Sequence, residues 1–307
     1  MLTFFRRRLD ELATALFLLI VLVCTLLHPP VFATPGGLLL ARAVLISSAV
    51  LMAVLVPAAR WSQKARALLG PVLDFAPVVV AVVGYVALHL LNAYAITAAL
   101  HIPFLDRDML AADVALFGQT PYVLFARWGM DGVGFLRVMT ACYALYPLTP
   151  MLMLGWFALN RDRANFLLVR RTLIVSFYLG YCSYILIPVS GPLSLLPPAP
   201  PGFIESTSIY AFLANNFRYV ADCFPSLHTA NPWLMVWVGR KGFPRWLLAG
   251  ACLVCCGITL STMALRLHYG IDVVAGLAWV FSVAPLARAT LPRPVAAQLQ
   301  ASLRQAS

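Results

Sequence analysis

Long, unbroken apolar runs restrict the fold of this chain more than any other feature of its sequence. Of its 307 residues, 62% are hydrophobic and only 11% are charged, and the mean hydropathy is +0.87. A soluble domain carries about 25% charged residues, so this chain could not cover a water-exposed surface. Because the runs are continuous and do not alternate, they favour membrane-spanning helices over a β-barrel. The sequence therefore predicts an all-α polytopic membrane protein.

A helix needs about 20 apolar residues to cross the hydrocarbon core of a bilayer. Eight runs approach this length, and the sixth, which is short, is expected to begin a little before His228. We expect two N-terminal transmembrane helices in residues 1–70, a six-helix domain in residues 71–290 and a tail in residues 291–307. The predicted spans are Leu9–His28, Leu38–Val56, Val72–Leu100, Val133–Leu159, Phe166–Pro188, His228–Gly239, Trp246–Leu265 and Tyr269–Leu286.

Basic residues cluster in alternate connections between these spans, which is the positive-inside pattern. It predicts cytoplasmic N- and C-termini in a plasma (inner) membrane and a retained first helix, not a cleaved signal peptide. It also accounts for most of the formal net charge of +11, so no nucleic-acid partner is needed. The clusters assigned to the cytoplasmic side are Arg6, Arg7 and Arg8; Arg60, Lys64 and Arg66; Arg161, Arg163, Arg170 and Arg171; Arg240, Lys241 and Arg245; and Arg288, Arg293 and Arg304.

Two segments on the opposite side interrupt the pattern of spans. Residues His101–Pro121 predict a short amphipathic helix lying on the membrane interface. A proline-rich segment that begins at Pro188 leads directly to Ser226 and is too rich in proline to form a regular helix at its start. The cysteines are predicted to act as small apolar residues, and Cys223, alone in its loop, implies no disulfide.

Two histidine-containing stretches, "CFPSLHTANP" and "STMALRLHYGIDVVAG", emerge on the same extracytoplasmic side in this topology. His268 and Asp272 are four residues apart and would share one face of a helix. The carboxylate would fix the tautomer of His268 and leave its other nitrogen as a nucleophile or base, while His228 supplies the complementary acid. Ser226, at the start of the sixth helix, and Arg266 are candidates for binding phosphate oxygens.

Other interpretations remain open for the same side chains. Two histidines and one aspartate could form a metal-binding triad, but no HExxH-like spacing is present, and we expect neither a metal nor a cofactor. The histidines could line the cavity of a transporter, although paired broken helices in matching halves are not evident. Tyr143, Tyr146 and Trp156 could line a lipid slot, or they could be interface anchors or ordinary packing.

The histidine motifs resemble those of the type 2 phosphatidic acid phosphatase superfamily. Pro225-Ser226-Leu227-His228 is similar to the family's PSGH motif, with leucine for glycine. Ser261-Thr262, His268 and Asp272 match SRxxxxxHxxxD, with threonine for arginine. This resemblance implies a six-helix core that covers about residues 70–290.

The first family motif, KxxxxxxRP, is aligned with "YILIPVSGP" in this chain. Tyr184 stands where lysine would, and Gly191-Pro192 where arginine-proline would. Together with the other motifs, this pattern resembles the inositol phosphorylceramide synthase branch, a set of lipid phosphotransferases. With the basic clamps missing, Arg266 and Arg218 become the candidates for binding phosphate.

The resemblance implies a metal-independent enzyme that acts on membrane lipids. His268 would attack phosphorus to form a phosphohistidine, Asp272 would orient His268, and His228 would protonate the leaving group. We expect a phosphotransferase that moves a phosphoryl-headgroup from a phospholipid to a lipid alcohol. The alternatives are a phosphatase of lipid phosphates or polyprenyl diphosphates on the same scaffold, and a non-enzymatic transporter.

Overall fold

The computed structural model describes residues 9–10, 12–17, 19, 63–90, 97–195, 221–292 and 294–298. Among these residues every regular element is helical and none is a strand, so the all-α prediction is confirmed for this part of the chain. The principal helices are α1 (Gln63–Leu90), α2 (Asp106–Phe117), α3 (Pro121–Arg127), α4 (Val133–Ala144), α5 (Thr149–Leu159), α6 (Arg163–Leu186), α7 (Leu227–Gly239), α8 (Arg245–Ala264) and α9 (Gly270–Ala289).

Within the described residues, four stretches are long and apolar enough to cross a membrane: Val133–Leu159, Arg163–Leu186, Arg245–Ala264 and Gly270–Ala289. A fifth is possible if α2 and α3, which are bent by 50° at their junction, form one broken span. Of the two predicted N-terminal spans, Leu38–Val56 lies outside the described residues. The other is described only within residues 9–19, where it is helical. The structure therefore describes a membrane protein without establishing eight crossings.

The predicted fourth span is not one continuous helix. It is divided into α4 and α5 by a 3₁₀ turn, Tyr146–Leu148. Pro147 lies in this turn, where it lacks the N–H that would continue the α-helical ladder and disfavours helical backbone at the preceding residue. The break turns Tyr143 and Tyr146 towards the neighbouring helix α7, which they contact.

Helix α7 lies at the centre of the bundle, packed against α6, α8 and α9. Its 13 residues extend about 20 Å at 1.5 Å per residue, which is shorter than the hydrocarbon core. Nearly all of its side chains are buried, including the polar Asn231. Asn231 accepts a hydrogen bond from Ser176 on α6 at 2.6 Å and donates one to Tyr146 at 3.2 Å, so this buried amide has partners on two neighbouring elements.

Ion pairs at one end of the bundle attach the helical segment within residues 9–19 to α6. The buried carboxylate of Asp10 pairs with Arg170 at 2.7 Å and also with Arg171. Arg171 in turn donates to the backbone carbonyl of Thr290, just after α9. The opposite ends of α8 and α9 meet the start of α7, and the two histidine motifs lie at this junction.

Candidate active site

The start of α7 positions His228 as the second residue of the helix. Ser226 is the N-cap, and its hydroxyl accepts a hydrogen bond from the backbone N–H of Thr229 at 3.3 Å. The backbone N–H of Ser226 donates to the carbonyl of Asp272 at 3.1 Å, which ties the start of α7 directly to α9. The expectation that the helix begins slightly before His228 is confirmed, because α7 starts at Leu227.

His268 lies in the short connection between α8 and α9. Helix α8 ends at Ala264, and Arg266 adopts positive φ (59°), which reverses the chain direction. The backbone N–H of His268 bonds back to the carbonyl of Thr262 at 3.1 Å. This tight turn fixes the backbone of His268, and its side chain is buried.

His268 and Asp272 are in contact, but they do not share one face of a helix as the spacing suggested. Helix α9 begins at Gly270, so His268 precedes it and has no helical neighbours on that side. Asp272 lies in the first turn and folds back as part of a capping box, accepting a hydrogen bond from the N–H of Tyr269 at 2.9 Å. The same oxygen, Oδ2, lies 3.4 Å from Nδ1 of His268.

The two imidazoles are adjacent, with Nε2 of His268 3.3 Å from Nδ1 of His228. The hydrogen positions follow from the surrounding network. Because Nδ1 of His268 faces a carboxylate, it carries a proton, and Nε2 then offers a lone pair. The proton between the two rings therefore belongs to Nδ1 of His228. Asp272, His268 and His228 form one continuous chain of polar contacts.

Two tyrosines surround the ring of His228. The hydroxyl of Tyr143 lies 3.0 Å from Nε2 of His228, and the two rings stack with centroids 4.9 Å apart. The ring of Tyr146 lies 4.2 Å from the imidazole centroid, but its hydroxyl bonds to Asn231. Trp156, the third aromatic residue singled out in this region, instead donates to the carbonyl of Gly242 at 3.2 Å. The partners of these rings lie more than 80 residues away in the sequence, so no local spacing could predict these contacts.

The structure distinguishes among the three residues predicted to bind phosphate. Ser226 is fully buried, and both its hydroxyl and its N–H are engaged in capping and in the contact with α9. Arg266 is half-buried, with its guanidinium 4.3 Å from the ring centroid of Tyr122 on α3. Arg218 lies outside the described residues. Phosphate binding by each of the three stays a prediction.

Helix α2 carries two buried carboxylates that support the site, whereas the sequence predicts a helix lying on the membrane surface here. Asp113 accepts hydrogen bonds from the N–H groups of Gly270 and Ile271, at 3.0 and 2.8 Å, and so caps α9. Asp106 accepts from the N–H groups of Ser190 and Gly191. Asp106 and Asp113 of the predicted amphipathic helix therefore face the protein, while Asp108 and the apolar residues Val114, Leu116 and Phe117 are exposed.

Asp106 also accepts a hydrogen bond from the hydroxyl of Tyr269 at 3.2 Å. Burial, and then the charge of Asp106, raise the pKa of Tyr269 well above its ordinary value. The phenol therefore stays protonated and remains a donor near neutral pH. Gly191, in the segment aligned with the first motif, has φ 93°, a conformation that favours glycine, and its N–H points at Asp106 with a donor–acceptor distance of 2.9 Å.

One group of side chains at the site could hold a metal ion. Donor atoms of Cys223, His268 and Asp272 all lie within 4.8 Å of one another. This set differs from the two-histidine, one-aspartate triad considered from the sequence, because Cys223 replaces His228. The thiol of Cys223 also bonds to the carbonyl of Leu267 at 3.2 Å. A metal ion here would have to replace the contact between His268 and Asp272.

The arrangement is suited to nucleophilic chemistry with proton transfer. A buried carboxylate beside Nδ1 of His268 orients the ring and leaves Nε2 as the nitrogen with an available lone pair. The second imidazole lies next to that nucleophilic atom, where a proton donor for a leaving group is required. A group that enters between the two rings would meet a nucleophile on one side and an acid on the other.

Comparison with known proteins identifies a family for most of this region. A family model described as the PAP2 superfamily matches residues 107–286, more than half of the chain. This interval contains α2 except its first residue, all helices from α3 to α8, most of α9 and every residue of the histidine cluster. No curated protein and no solved structure matches the chain.

Proposed function

This chain belongs to the PAP2 superfamily of phosphatases and phosphotransferases, and from that premise we propose that it is a lipid phosphotransferase. It would move a phosphoryl-headgroup from a phospholipid to a lipid alcohol through a phosphohistidine. The observation that carries the proposal is the contact chain from Asp272 through His268 to His228, with distances of 3.4 and 3.3 Å. The active site would open on the extracytoplasmic face, as the positive-inside pattern predicts.

In the proposed reaction, Nε2 of His268 attacks phosphorus, and the bond from phosphorus to the diacylglycerol oxygen breaks. That oxygen takes the proton from Nδ1 of His228, whose imidazolium form is stabilised in this step by the negative charge of the phosphate bound between the two rings. The acceptor alcohol then gives its proton to Nδ1 of His228 and attacks phosphorus, and His268 is released. Asp272 keeps Nδ1 of His268 protonated and offsets the positive charge that the ring gains in the intermediate.

Transfer to a lipid alcohol is favoured over hydrolysis by the missing basic clamps. Tyr184 and Gly191 occupy the first-motif positions, and Thr262 occupies the arginine position of the third. Tyr184 is buried in the core and Gly191 has no side chain to offer. A phosphodiester carries one negative charge and needs less neutralisation than a phosphomonoester or diphosphate.

A phosphatase is the second candidate, because members of the PAP2 superfamily are typically phosphatases. The two candidates differ in the acceptor and in the charge of the phosphate group that is attacked. The site chemistry described above would serve water as well as an alcohol, and exclusion of water from the pocket would decide between them.

The test uses purified protein in vesicles that contain headgroup-labelled phospholipids, with and without diacylglycerol or ceramide as acceptor. The transferase proposal expects the label to appear on the acceptor lipid and to depend on its presence. Release of a labelled phosphorylated headgroup into water, or of inorganic phosphate from phosphatidic acid, without any labelled acceptor would defeat the transferase assignment and support hydrolysis.

His268→Ala is expected to abolish both outcomes, because no other group in the cluster replaces the nucleophile. His101→Asn is the matched control, since His101 is an exposed histidine outside the cluster. Near-normal turnover by a folded His268→Ala protein would refute the mechanism.

A further inference from the structure

We propose that Tyr143 is a positioning residue that holds Nε2 of His228 and thereby reserves Nδ1 for proton transfer. This inference rests on the proposed function, in which His228 is the acid and then the base. It starts from the 3.0 Å contact between the hydroxyl of Tyr143 and Nε2 of His228. On the opposite side of the same ring, Nδ1 faces the nucleophilic nitrogen of His268.

The two nitrogens of His228 have different neighbours, and this asymmetry determines which one can react. Only Nδ1 is adjacent to the position where a phosphoryl group would bind, next to Nε2 of His268. A neutral imidazole keeps its proton on the nitrogen that has the better acceptor beside it. With Tyr143 accepting from Nε2–H, the neutral ring after the first step has a lone pair on Nδ1. It can then take the proton of the acceptor alcohol at that atom.

A hydroxyl suits this position better than a carboxylate would. Tyr143 can accept a hydrogen bond from the imidazolium and from the neutral ring, so the contact persists through both steps. Because the phenol is neutral, it does not hold the ring in its charged form as a carboxylate would. His228 is thus oriented while it remains able to lose its proton, whereas Asp272, beside His268, keeps that ring oriented as the nucleophile.

Tyr146 provides an internal comparison. Its ring also contacts His228, with centroids 4.2 Å apart, but its hydroxyl accepts a hydrogen bond from Asn231 at 3.2 Å. The two tyrosines therefore pack against the same imidazole, and only the hydroxyl of Tyr143 reaches a ring nitrogen. Tyr143→Phe and Tyr146→Phe each remove one hydroxyl next to His228, but only Tyr143→Phe removes the contact with Nε2. Comparing the two variants therefore separates the effect of this hydrogen bond from the effect of ring packing.

The experiment compares substrates that share a phosphoryl group and differ in their need for an acid. One pair is phosphatidylethanolamine and 4-nitrophenyl phosphoethanolamine, and the other is phosphatidic acid and 4-nitrophenyl phosphate. A nitrophenolate leaves without protonation, whereas a diacylglycerol oxygen does not. We would measure kcat and KM of the wild type, Tyr143→Phe and Tyr146→Phe in the same detergent for whichever pair the wild type turns over.

For Tyr143→Phe we expect kcat/KM with the lipid to fall about 10-fold or more, since a positioned acid contributes roughly 10²–10⁴ in rate. The loss with the lipid should reside in kcat. For the nitrophenyl ester, kcat/KM reports only the first step, so this quantity should fall by no more than about threefold. Tyr146→Phe should keep the wild-type ratio between the two substrates, even if its thermal stability falls. Equal losses on both substrates in a folded Tyr143→Phe protein, or no loss on either, would overturn the inference.

The same measurements distinguish a failure of the proposed function from a failure of the role of Tyr143. A wild-type protein that turns over neither pair, or a folded His268→Ala protein that retains turnover, would overturn the proposed function and this inference with it. Full dependence on His268 together with an unchanged substrate ratio in Tyr143→Phe would overturn the role of Tyr143 alone.

Discussion

Replacing Gly276 with alanine tests whether the contact between α9 and the start of α7 sets the distance between the two imidazoles. Gly276 lies one helical turn after Asp272, on the side of α9 that faces the N-cap of α7. A Cβ atom at this position would lie 2.7 Å from the backbone oxygen of Ser226 and 3.3 Å from the Cβ of Thr229. The nearest atom belongs to the backbone, so no side-chain rotation can relieve the overlap.

The size of the expected effect follows from this distance. Ordinary contacts of a Cβ atom begin at 3.4 Å, so α9 and the start of α7 must separate by about 0.7 Å. Overpacking of this kind costs typically 1–3 kcal/mol of folding free energy. The displacement also acts between Asp272, which is on α9, and His228, which follows Ser226. Since a misplacement of about 1 Å can cost on the order of 10²-fold in rate, we expect kcat to fall about 10- to 100-fold.

The assay is the lipid-transfer measurement described above, with thermal unfolding in detergent as the test of folding. Gly250→Ala on α8 is the matched control, because no atom lies within 4 Å of the added Cβ and alanine favours a helix. A Gly276→Ala protein as active as Gly250→Ala would show that this contact does not set the geometry of the cluster.

Two further predictions concern the cap that Asp113 provides for α9 and the independence of the reaction from a metal ion. Asp113→Ala leaves the buried N–H groups of Gly270 and Ile271 without their acceptor, which should destabilise the protein by about 1–3 kcal/mol per donor and lower its unfolding temperature. Asp108→Ala, at an exposed position of the same helix, should change stability by no more than about 0.5 kcal/mol, and equal effects of the two would argue against the cap. Treatment with EDTA should leave turnover unchanged, because His268 is the proposed nucleophile; loss of activity that zinc restores would instead favour a metal bound by Cys223, His268 and Asp272.

The class of the protein and the members of the histidine cluster could be predicted from the sequence. Length and continuity of apolar runs determine membrane helices, because a bilayer requires every backbone polar group to be satisfied within the segment. The spacing of His268 and Asp272 indicated a contact, and the structure has that contact. The helical geometry behind the prediction was wrong, however, since α9 begins after His268 and Asp272 reaches it through the cap.

The supporting residues could not be predicted in the same way. Asp106 and Asp113 form a pattern that also suits a helix on a membrane surface, and the sequence does not show which side of such a helix faces the protein. Only the docking of α2 turns both carboxylates inwards, Asp106 towards backbone N–H groups after α6 and Asp113 towards those at the start of α9. Tyr143 and Tyr146 were open to several interpretations for the same reason, because their partner His228 is on another helix.

The sequence by itself determined that this chain is a membrane protein built on helices and that its two histidine motifs resemble those of the PAP2 superfamily. These properties follow from local composition and from short spacings along the chain, which need no partner to be recognised. Tertiary structure alone decided that the imidazoles lie 3.3 Å apart, that the hydroxyl of a tyrosine contacts one of them and that a glycine allows α9 to approach the start of α7. Those features depend on contacts between segments distant in the sequence, and only the packing of the helices brings them together.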